Sequence, residues 1–285
     1  MKRECYPWFC GQRHVVLDTP WVMGIVNVTP DSFYGGSRVL ECSAAVSRGL
    51  QMVADGAKIL DIGGESTRPG ATPVTQAEEC ARVIPVIEAL RSACPQLILS
   101  VDTRHTATAA AAIAAGADVI NDVAACTPDA GMWELIASSG AGYILMHARG
   151  TPQTMDQLVT YEDVVASVLN TLVDRAQTCM ALGVKREQIV LDPGLGFAKT
   201  AHDSLVLLAS TAQFAAWGPT LIAASRKRFL GDLTRRAVAE ERQAASVGAA
   251  LAAVAQGAAL VRVHDVRETV DALNVFLAVQ EVAQC

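Results

Sequence analysis

Short apolar runs of strand length alternate with longer stretches of helical periodicity along almost the whole chain. The strand-like runs are Trp21–Val26, Lys58–Ile62, Leu97–Val101, Asp118–Ile120, Gly142–Met146, Gln188–Leu191, Thr220–Ala224 and Ala259–Val263. The helix-like intervals are about Ser43–Asp55, Thr75–Ala93, Thr106–Ala115, Gly131–Ser139, Tyr161–Leu182, Ser204–Ala215, Glu240–Gln256 and Glu268–Val282. In the fifth of these, Val164, Val165, Val168, Leu169, Leu172, Val173, Ala176, Cys179 and Met180 recur at three- and four-residue steps, and Gly183 follows as a stop. Eight such alternations predict an α/β protein built as a (β/α)8 TIM barrel, with a doubly wound open sheet as the competing architecture. Residues 1–13 read as an N-terminal extension outside the fold, and 14–285 as one barrel domain, because no low-complexity linker or charge run divides them.

Composition supports a large core. Hydrophobic residues make up 51% of the 285, mean hydropathy is +0.29, and only 18% are charged, which argues against disorder. The 23 basic and 29 acidic residues leave a net charge of −6, which argues against a nucleic-acid partner. An anionic ligand must then be gripped by local cations. Ala244–Val261 carries no charge, but it is mostly Ala and Gly and is divided by Gln256-Gly257, so it reads as soluble core rather than a membrane span. Met1–Arg13 lacks the apolar segment of a signal peptide. The eight cysteines (Cys5, Cys10, Cys42, Cys80, Cys94, Cys126, Cys179 and Cys285) are scattered without a CxxC pair and read as reduced thiols of a cytosolic protein.

A barrel carries its chemistry at the C-terminal ends of its strands. The polar residues fall there: Asn27, Asp61, Asp102, Asn121, His147, Asp192, Ser225, and Arg262 with His264. Arg262 and His264, two apart, project to one side of a strand and suit a phosphate-bearing ligand; an ion pair of Arg262 with Asp265 or Glu268 and a core histidine are the plainer readings. Ser225-Arg226-Lys227-Arg228 adds cations, or is a solvated basic turn. Asp102, Asn121 and Asp192 are groups able to pair with an amidine-like ring edge, to which Lys227 adds a donor; helix capping is the alternative for the first three. Asn27 and Asp31 offer hard oxygens that suit Mg²⁺ beside a diphosphate, or an Asn-capped turn. Asp61-Ile-Gly-Gly-Glu-Ser-Thr-Arg-Pro-Gly70 is a strand end opening into a Gly-rich loop with a forked cation, Arg68.

That loop resembles the one of dihydropteroate synthase, the folate-biosynthesis enzyme targeted by sulfonamides. The resemblance extends over about residues 14–283 through Gly24-Ile-Val-Asn-Val-Thr-Pro-Asp-Ser-Phe33, Ser100-Val-Asp-Thr103, Ile120-Asn-Asp-Val123, Met146-His-Ala-Arg-Gly-Thr-Pro-Gln-Thr-Met155, Leu191 to Lys199, Ser225-Arg-Lys227 and Arg262-Val-His-Asp-Val266. It implies that Asp102, Asn121, Asp192 and Lys227 read a pterin, that Arg262 stacks near the ring and holds diphosphate with His264, and that Asn27 helps place Mg²⁺. It implies that Thr67 and Arg68 belong to a moving loop that contacts substrate, and that Phe33, Ser66 and Pro69 form a p-aminobenzoate site with Ser225 near its carboxylate end. Met146 and Phe197 line the pocket in this reading. The chain departs from the family at Tyr34-Gly35, at Ala198 where glycine is usual, and at Asp203 where asparagine is frequent.

The activity implied is a pterin-binding transferase, joining 6-hydroxymethyl-7,8-dihydropterin diphosphate to p-aminobenzoate by SN1-like substitution. The expected catalytic groups are Asp102, Lys227, Arg262 and His264; His147 and His202 are not expected to act as bases. The resemblance also implies a cytoplasmic homodimer joined through the late helices, whose apolar, Ala-rich faces suit a core equally. Two rivals remain. A methyltetrahydrofolate–corrinoid methyltransferase would share the ring readers without the Ser-Thr-Arg-Pro-Gly loop, and a non-catalytic pterin-binding paralogue would bind without turnover.

Overall fold

The computed structural model describes residues 5–28, 38–65 and 74–283. Its elements in chain order are strands β1 (Tyr6–Cys10), β2 (Arg13–Leu17) and β3 (Trp21–Asn27), then helix α1 (Arg38–Ala54) and β4 (Ile59–Gly63). There follow α2 (Gln76–Ala93), β5 (Ile98–Asp102), α3 (Thr106–Ala114), β6 (Val119–Asp122), α4 (Met132–Ser139) and β7 (Gly142–Met146). The last third holds α5 (Val164–Ala181), β8 (Ile189–Asp192), α6 (Ala201–Ala209), α7 (Thr211–Ala215), β9 (Leu221–Ile222), α8 (Arg228–Thr234), α9 (Gln243–Ala255), β10 (Leu260–Val263) and α10 (Val266–Val282).

Strands β3 to β10 form one parallel sheet of eight in the order β8-β7-β6-β5-β4-β3-β10-β9. The ring closes through a parallel bridge between Leu191 and Thr220, where the Leu191 N–H donates to the Pro219 carbonyl at 3.0 Å. The (β/α)8 barrel expected from the alternation is therefore the observed fold. No helix among the described residues is long and apolar enough to cross a membrane.

Strand residues face alternately inward and outward. One set, including Val26, Leu60, Ile62, Leu99, Val101, Ile120 and Leu145, packs under the helices. The other set, Met23, Ile59, Ile98, Val119, Ile144, Val190, Leu221 and Leu260, forms a separate apolar cluster with Trp8, Cys10 and Leu17. That second cluster fills the lower barrel, so Asp61, Ser100, Asn121, Asp192 and Arg262, each two positions beyond one of its members, lie above an apolar floor.

The helices start where local chemistry allows. Thr75 caps α2 by accepting from the Glu78 N–H, and Asp163 caps α5 by accepting from the Ala166 N–H. The interval expected as one helix at Ser204–Ala215 is instead α6 and α7, broken at Ser210. The α8 helix, inserted between β9 and α9, was not foreseen.

The segment 1–13 differs from its reading as an extension outside the fold. Its described part supplies β1 and the start of β2, an antiparallel hairpin pairing Tyr6 with Leu17 and Cys10 with Arg13. Trp8 and Cys10 are completely buried. The Trp8 indole N–H donates to the Gln188 carbonyl at 3.1 Å, the Gly11 N–H to the Gly140 carbonyl at 2.9 Å, and Arg13 Nε to Asp118 at 3.0 Å. These acceptors immediately precede β8, β7 and β6, so the hairpin closes the N-terminal end of the barrel. Burial of an indole outweighs the polar composition that made the segment look peripheral.

Trp8→Ala should lower the unfolding free energy by about 3–5 kcal/mol in urea titrations, since it removes the largest side chain of the floor. A loss below about 1 kcal/mol would show that the hairpin is not part of the cooperative unit.

Candidate active site

Four of the expected strand-end residues are the last or nearly last residues of strands that run further along the chain than the apolar pattern suggested. Asn27, Asp102 and Asp192 each end their strand, and Asn121 lies one residue before the end of β6. The register aligns Asn27 with Gly63, Gly63 with Asp102, and Asp102 with Asn121. Met146 is aligned with Asp192 on the opposite wall. Asp102, Asn121, Met146 and Asp192 are all buried.

Arg262 organises this ring of groups. From β10 it passes over β3: its Nε donates to Asp61 Oδ2 at 2.5 Å and its Nη2 to Asp102 Oδ2 at 2.6 Å. Its pairing is thus with β4 and β5, not with Asp265 or Glu268. Asp265 binds Arg226 instead, at 3.1 and 2.5 Å. Of the basic turn after β9, Arg226 is structural, Arg228 is exposed, and Lys227 turns to the site.

Asp61, recognised in the sequence only as a strand-end polar residue, is fully buried beneath Arg262. Its Oδ1 accepts from the Ser100 hydroxyl at 2.6 Å, and its Oδ2 also accepts from Asn121 Nδ2 at 2.9 Å. Strand parity was the available signal: Asp61 is two residues from Ile59, so it shares the inward face, where a carboxylate needs a buried cation.

The opposite wall is the loop from Asp192 to Lys199. Asp192 Oδ1 accepts from the Gly194 N–H at 2.7 Å, so part of its capacity serves the turn rather than the following helix, which Thr200 caps. Lys227 Nζ donates to the Leu195 carbonyl and lies 4.2 Å from the Phe197 ring centre. Gly194, Gly196 and Ala198 all have positive φ, at 65°, 77° and 50°. Gly194 has no room for a side chain, since a Cβ would stand 2.0 Å from the His147 carbonyl oxygen. Ala198 adopts the left-handed conformation despite its methyl group, which explains why glycine is readily accommodated there.

Lys199 ties this loop to the end of β7. Its ammonium lies 2.8 Å from the Phe197 carbonyl and 3.0 Å from His147 Nδ1. His147 is buried and pushed down to about 2 by desolvation and by the neighbouring Lys199 and Arg149 cations, which removes it as a proton acceptor at neutral pH. On the far side, Ser225 Oγ lies 3.0 Å from His264 Nδ1 and accepts the His264 N–H at 3.1 Å, so these two residues form one unit.

Charge is held under tension throughout. Burial pushes Asp102 up to about 7, opposed by Arg262 and reinforced by Asp61. Burial also raises Asp192, opposed mainly by Lys227, and lowers Lys227 to about 8, opposed by Asp192. Bringing a ligand with complementary donors and acceptors into this cluster replaces lost hydration. Of the remaining expected residues, Phe33, Ser66, Thr67, Arg68 and Pro69 lie outside the described residues, as does Asp31. Beside the ring of groups, a cavity of about 380 Å³ is lined in part by Glu65, Arg104, His105, Arg149 and Phe197.

An apolar-floored parallel barrel with carboxylates, an amide and two cations converging at its C-terminal mouth defines a binding site for a polar heterocycle. The pterin-binding enzyme family matches residues 23–264. A dihydropteroate synthase from Neisseria meningitidis is 45% identical over 279 residues, covering 95% of this chain and 96% of that protein. The solved dihydropteroate synthase of Xanthomonas albilineans with 4-aminobenzoic acid is 46% identical, with a TM-score of 0.90 over 96% of this chain and 98% of that one. A second structure of that enzyme, in complex with 7,8-dihydropteroate, is 42% identical with a TM-score of 0.84, covering 95% and 97% of the two chains. The chain belongs to the dihydropteroate synthase family of pterin-binding enzymes.

Lys199 yields a pH test. Burial lowers it from 10.5 to about 7 in the folded protein. Below about 7 both folded and unfolded forms carry the proton; between about 7 and 10.5 only the unfolded form does, so the Lys199 contribution to stability rises with pH across that window. In denaturant titrations at several pH values, wild type should gain up to about 1.4 kcal/mol per pH unit relative to Lys199→Met over that range. Parallel pH profiles for the two proteins would contradict the lowered value.

Proposed function

We propose that the chain condenses 6-hydroxymethyl-7,8-dihydropterin diphosphate with p-aminobenzoate, giving 7,8-dihydropteroate and diphosphate. The observation that carries the reading is Arg262, held between Asp61 and Asp102 in the barrel mouth where Asn121, Asp192 and Lys227 converge. Relatives sharing this fold bind 4-aminobenzoic acid and 7,8-dihydropteroate, the second substrate and the product of that reaction.

In this mechanism Asp102, Asn121 and Asp192 accept or exchange hydrogen bonds with the pterin edges, and Lys227 donates to the ring carbonyl. Met146 and Phe197 line the ring pocket. Arg262 and His264 bind the diphosphate. The bond between the pterin methylene carbon and the diphosphate oxygen breaks, and its electron pair leaves with the diphosphate. The dihydropterin ring delocalises the resulting positive charge, which the Asp102 carboxylate stabilises across the site. The neutral arylamine nitrogen then forms the new C–N bond and loses a proton to solvent. No strong base is required, consistent with the low basicity of His147. Phe33, Ser66, Thr67, Arg68, Pro69 and Ser225 complete the p-aminobenzoate site in this reading.

Asn27 suits Mg²⁺. It offers a hard carbonyl oxygen, and Gly63 leaves the space between Asn27 and Asp102 clear: a Cβ there would lie 3.8 Å from Asn27 Oδ1 and 3.5 Å from Asp102 Cβ. One protein oxygen together with diphosphate oxygens and water fits the way this ion binds phosphates. When bound, the ion would neutralise charge developing on the diphosphate. Sulfonamides, as p-aminobenzoate mimics, would compete at the same mouth. The cytoplasm is the expected compartment, in keeping with the free thiols at Cys5, Cys10, Cys42, Cys80, Cys94, Cys126 and Cys179.

Diphosphate release, followed together with dihydropteroate in the presence of Mg²⁺, tests the reaction. Wild type should form both products only when both substrates are present, and Arg262→Ala should lose on the order of 100-fold or more in turnover while remaining folded. Wild-type turnover in that variant would remove Arg262 from the mechanism. Binding of the pterin substrate by wild type without any turnover would instead favour a non-catalytic paralogue.

A homodimer is also proposed. Val275, Val279 and Val282 form an exposed stripe on α10 at helical spacing, 66%, 60% and 77% accessible, and apolar surface of this kind is suited to a partner copy. Light scattering should give twice the chain mass for wild type and the chain mass for Val279→Asp; a monomeric wild type at micromolar concentration would contradict the proposal.

A further inference from the structure

Asp61 does more than hold Arg262. A carboxylate can only accept, and Asp61 is fully buried, so each group facing it must be a donor. Asn121 meets this demand with Nδ2, 2.9 Å from Asp61 Oδ2. Its amide is planar, so committing the NH₂ to Asp61 turns the carbonyl away from the carboxylate. Asn121 Oδ1 is buried and has no hydrogen-bond partner among the described residues. The flipped amide would set the carbonyl oxygen against Asp61, two acceptors facing each other in a buried site, and would lose the present bond.

We infer that Asp61 is a specificity-determining positioning residue: by fixing the Asn121 amide with its oxygen toward the ligand, it makes this part of the site select a ring edge that donates. The inference rests on the pterin reading given above and sharpens it. Free to rotate, an asparagine could serve a donor or an acceptor on the ring. Locked by Asp61, it holds its unpaired oxygen away from that carboxylate and keeps at most one further N–H, so its free acceptor faces the rest of the site, where the carboxylate of Asp192 accepts as well. A pteridine carrying a 2-amino group satisfies such a site. One carrying a 2-oxo group leaves a buried acceptor unpaired and sets two oxygens against each other. Ser100 and Arg262 reinforce the lock, because both donate to Asp61 and leave it no reason to turn.

The probes are pterin and lumazine, which differ in having an amino or an oxo group at position 2 and which carry no diphosphate. Their affinities are measured by titration calorimetry on the full chain at neutral pH, with folding of each variant checked by thermal unfolding. Wild type should prefer pterin by a factor on the order of 100. Asn121→Ala should reduce that preference about tenfold. Asp61→Ala should reduce it to the same level, and the double variant should reduce it no further, because both act through one amide.

Equal affinity of wild type for the two probes overturns the inference. So does an Asp61→Ala variant that weakens both probes by the same factor, which is what a purely structural residue would do. Asp61→Ser replaces the alanine variant if that one does not fold. Failure of wild type to bind either probe would reject the pterin reading itself, an outcome distinct from loss of discrimination.

Discussion

A guanidinium buried inside a protein has to be paired, and the pairing of Arg262 with Asp61 and Asp102 sets the terms for the rest of this barrel. The two carboxylates come from β4 and β5, and the cation from β10, with β3 between them. These strands are consecutive in the sheet, and their side chains meet across β3 only in the observed register. A slip of one residue would turn Asp61 and Arg262 outward among the helices. Folding and site assembly are therefore the same event here. The apolar floor below contributes the burial that makes such a polar layer tolerable above it.

The repeating units were legible because each barrel strand is buried on both faces and each helix on one, so hydrophobicity alone marks them. Strand ends were read one residue short at Asn27, Asp102 and Asp192. A polar residue looks like a terminator in a sequence, yet these three continue the ladder, paired with Gly63 or Met146 on the adjacent strands. β1 escaped notice for the opposite reason. Among the described residues of that segment Trp8 and Cys10 alone are fully buried, too few to show a pattern. The polar groups that meet at the mouth, Asp102, Asn121, Asp192, Lys227 and Arg262, were legible by chemical type and place. Asp61 was seen but not weighted, since its importance depends on a partner about 200 residues away in the chain. Ser225 and His264, assigned to different ligands, come together for the same reason.

Two kinds of scaffold serve the site. Asp102, Asn121 and Arg262 stand on strands whose backbone is fixed by hydrogen bonds on both sides. Phe197, beyond the end of β8, belongs to a turn with three left-handed residues in alternation. Lys199 joins that turn to His147. Burying its ammonium is unfavourable, and the carbonyls and imidazole around it are the compensation. Precision on one wall comes from the sheet, and on the other from the side chains of Lys199, Lys227, Asp192 and Ser204 that hold the turn.

The hairpin beneath the barrel gives the molecule two unlike poles. The described chain begins at Cys5, beside β1 and at the pole that Trp8 seals, across the height of the sheet from the polar mouth. A second domain fused at that end would therefore leave both substrates their approach, and could act as a neighbour in the same chain without reshaping the pocket.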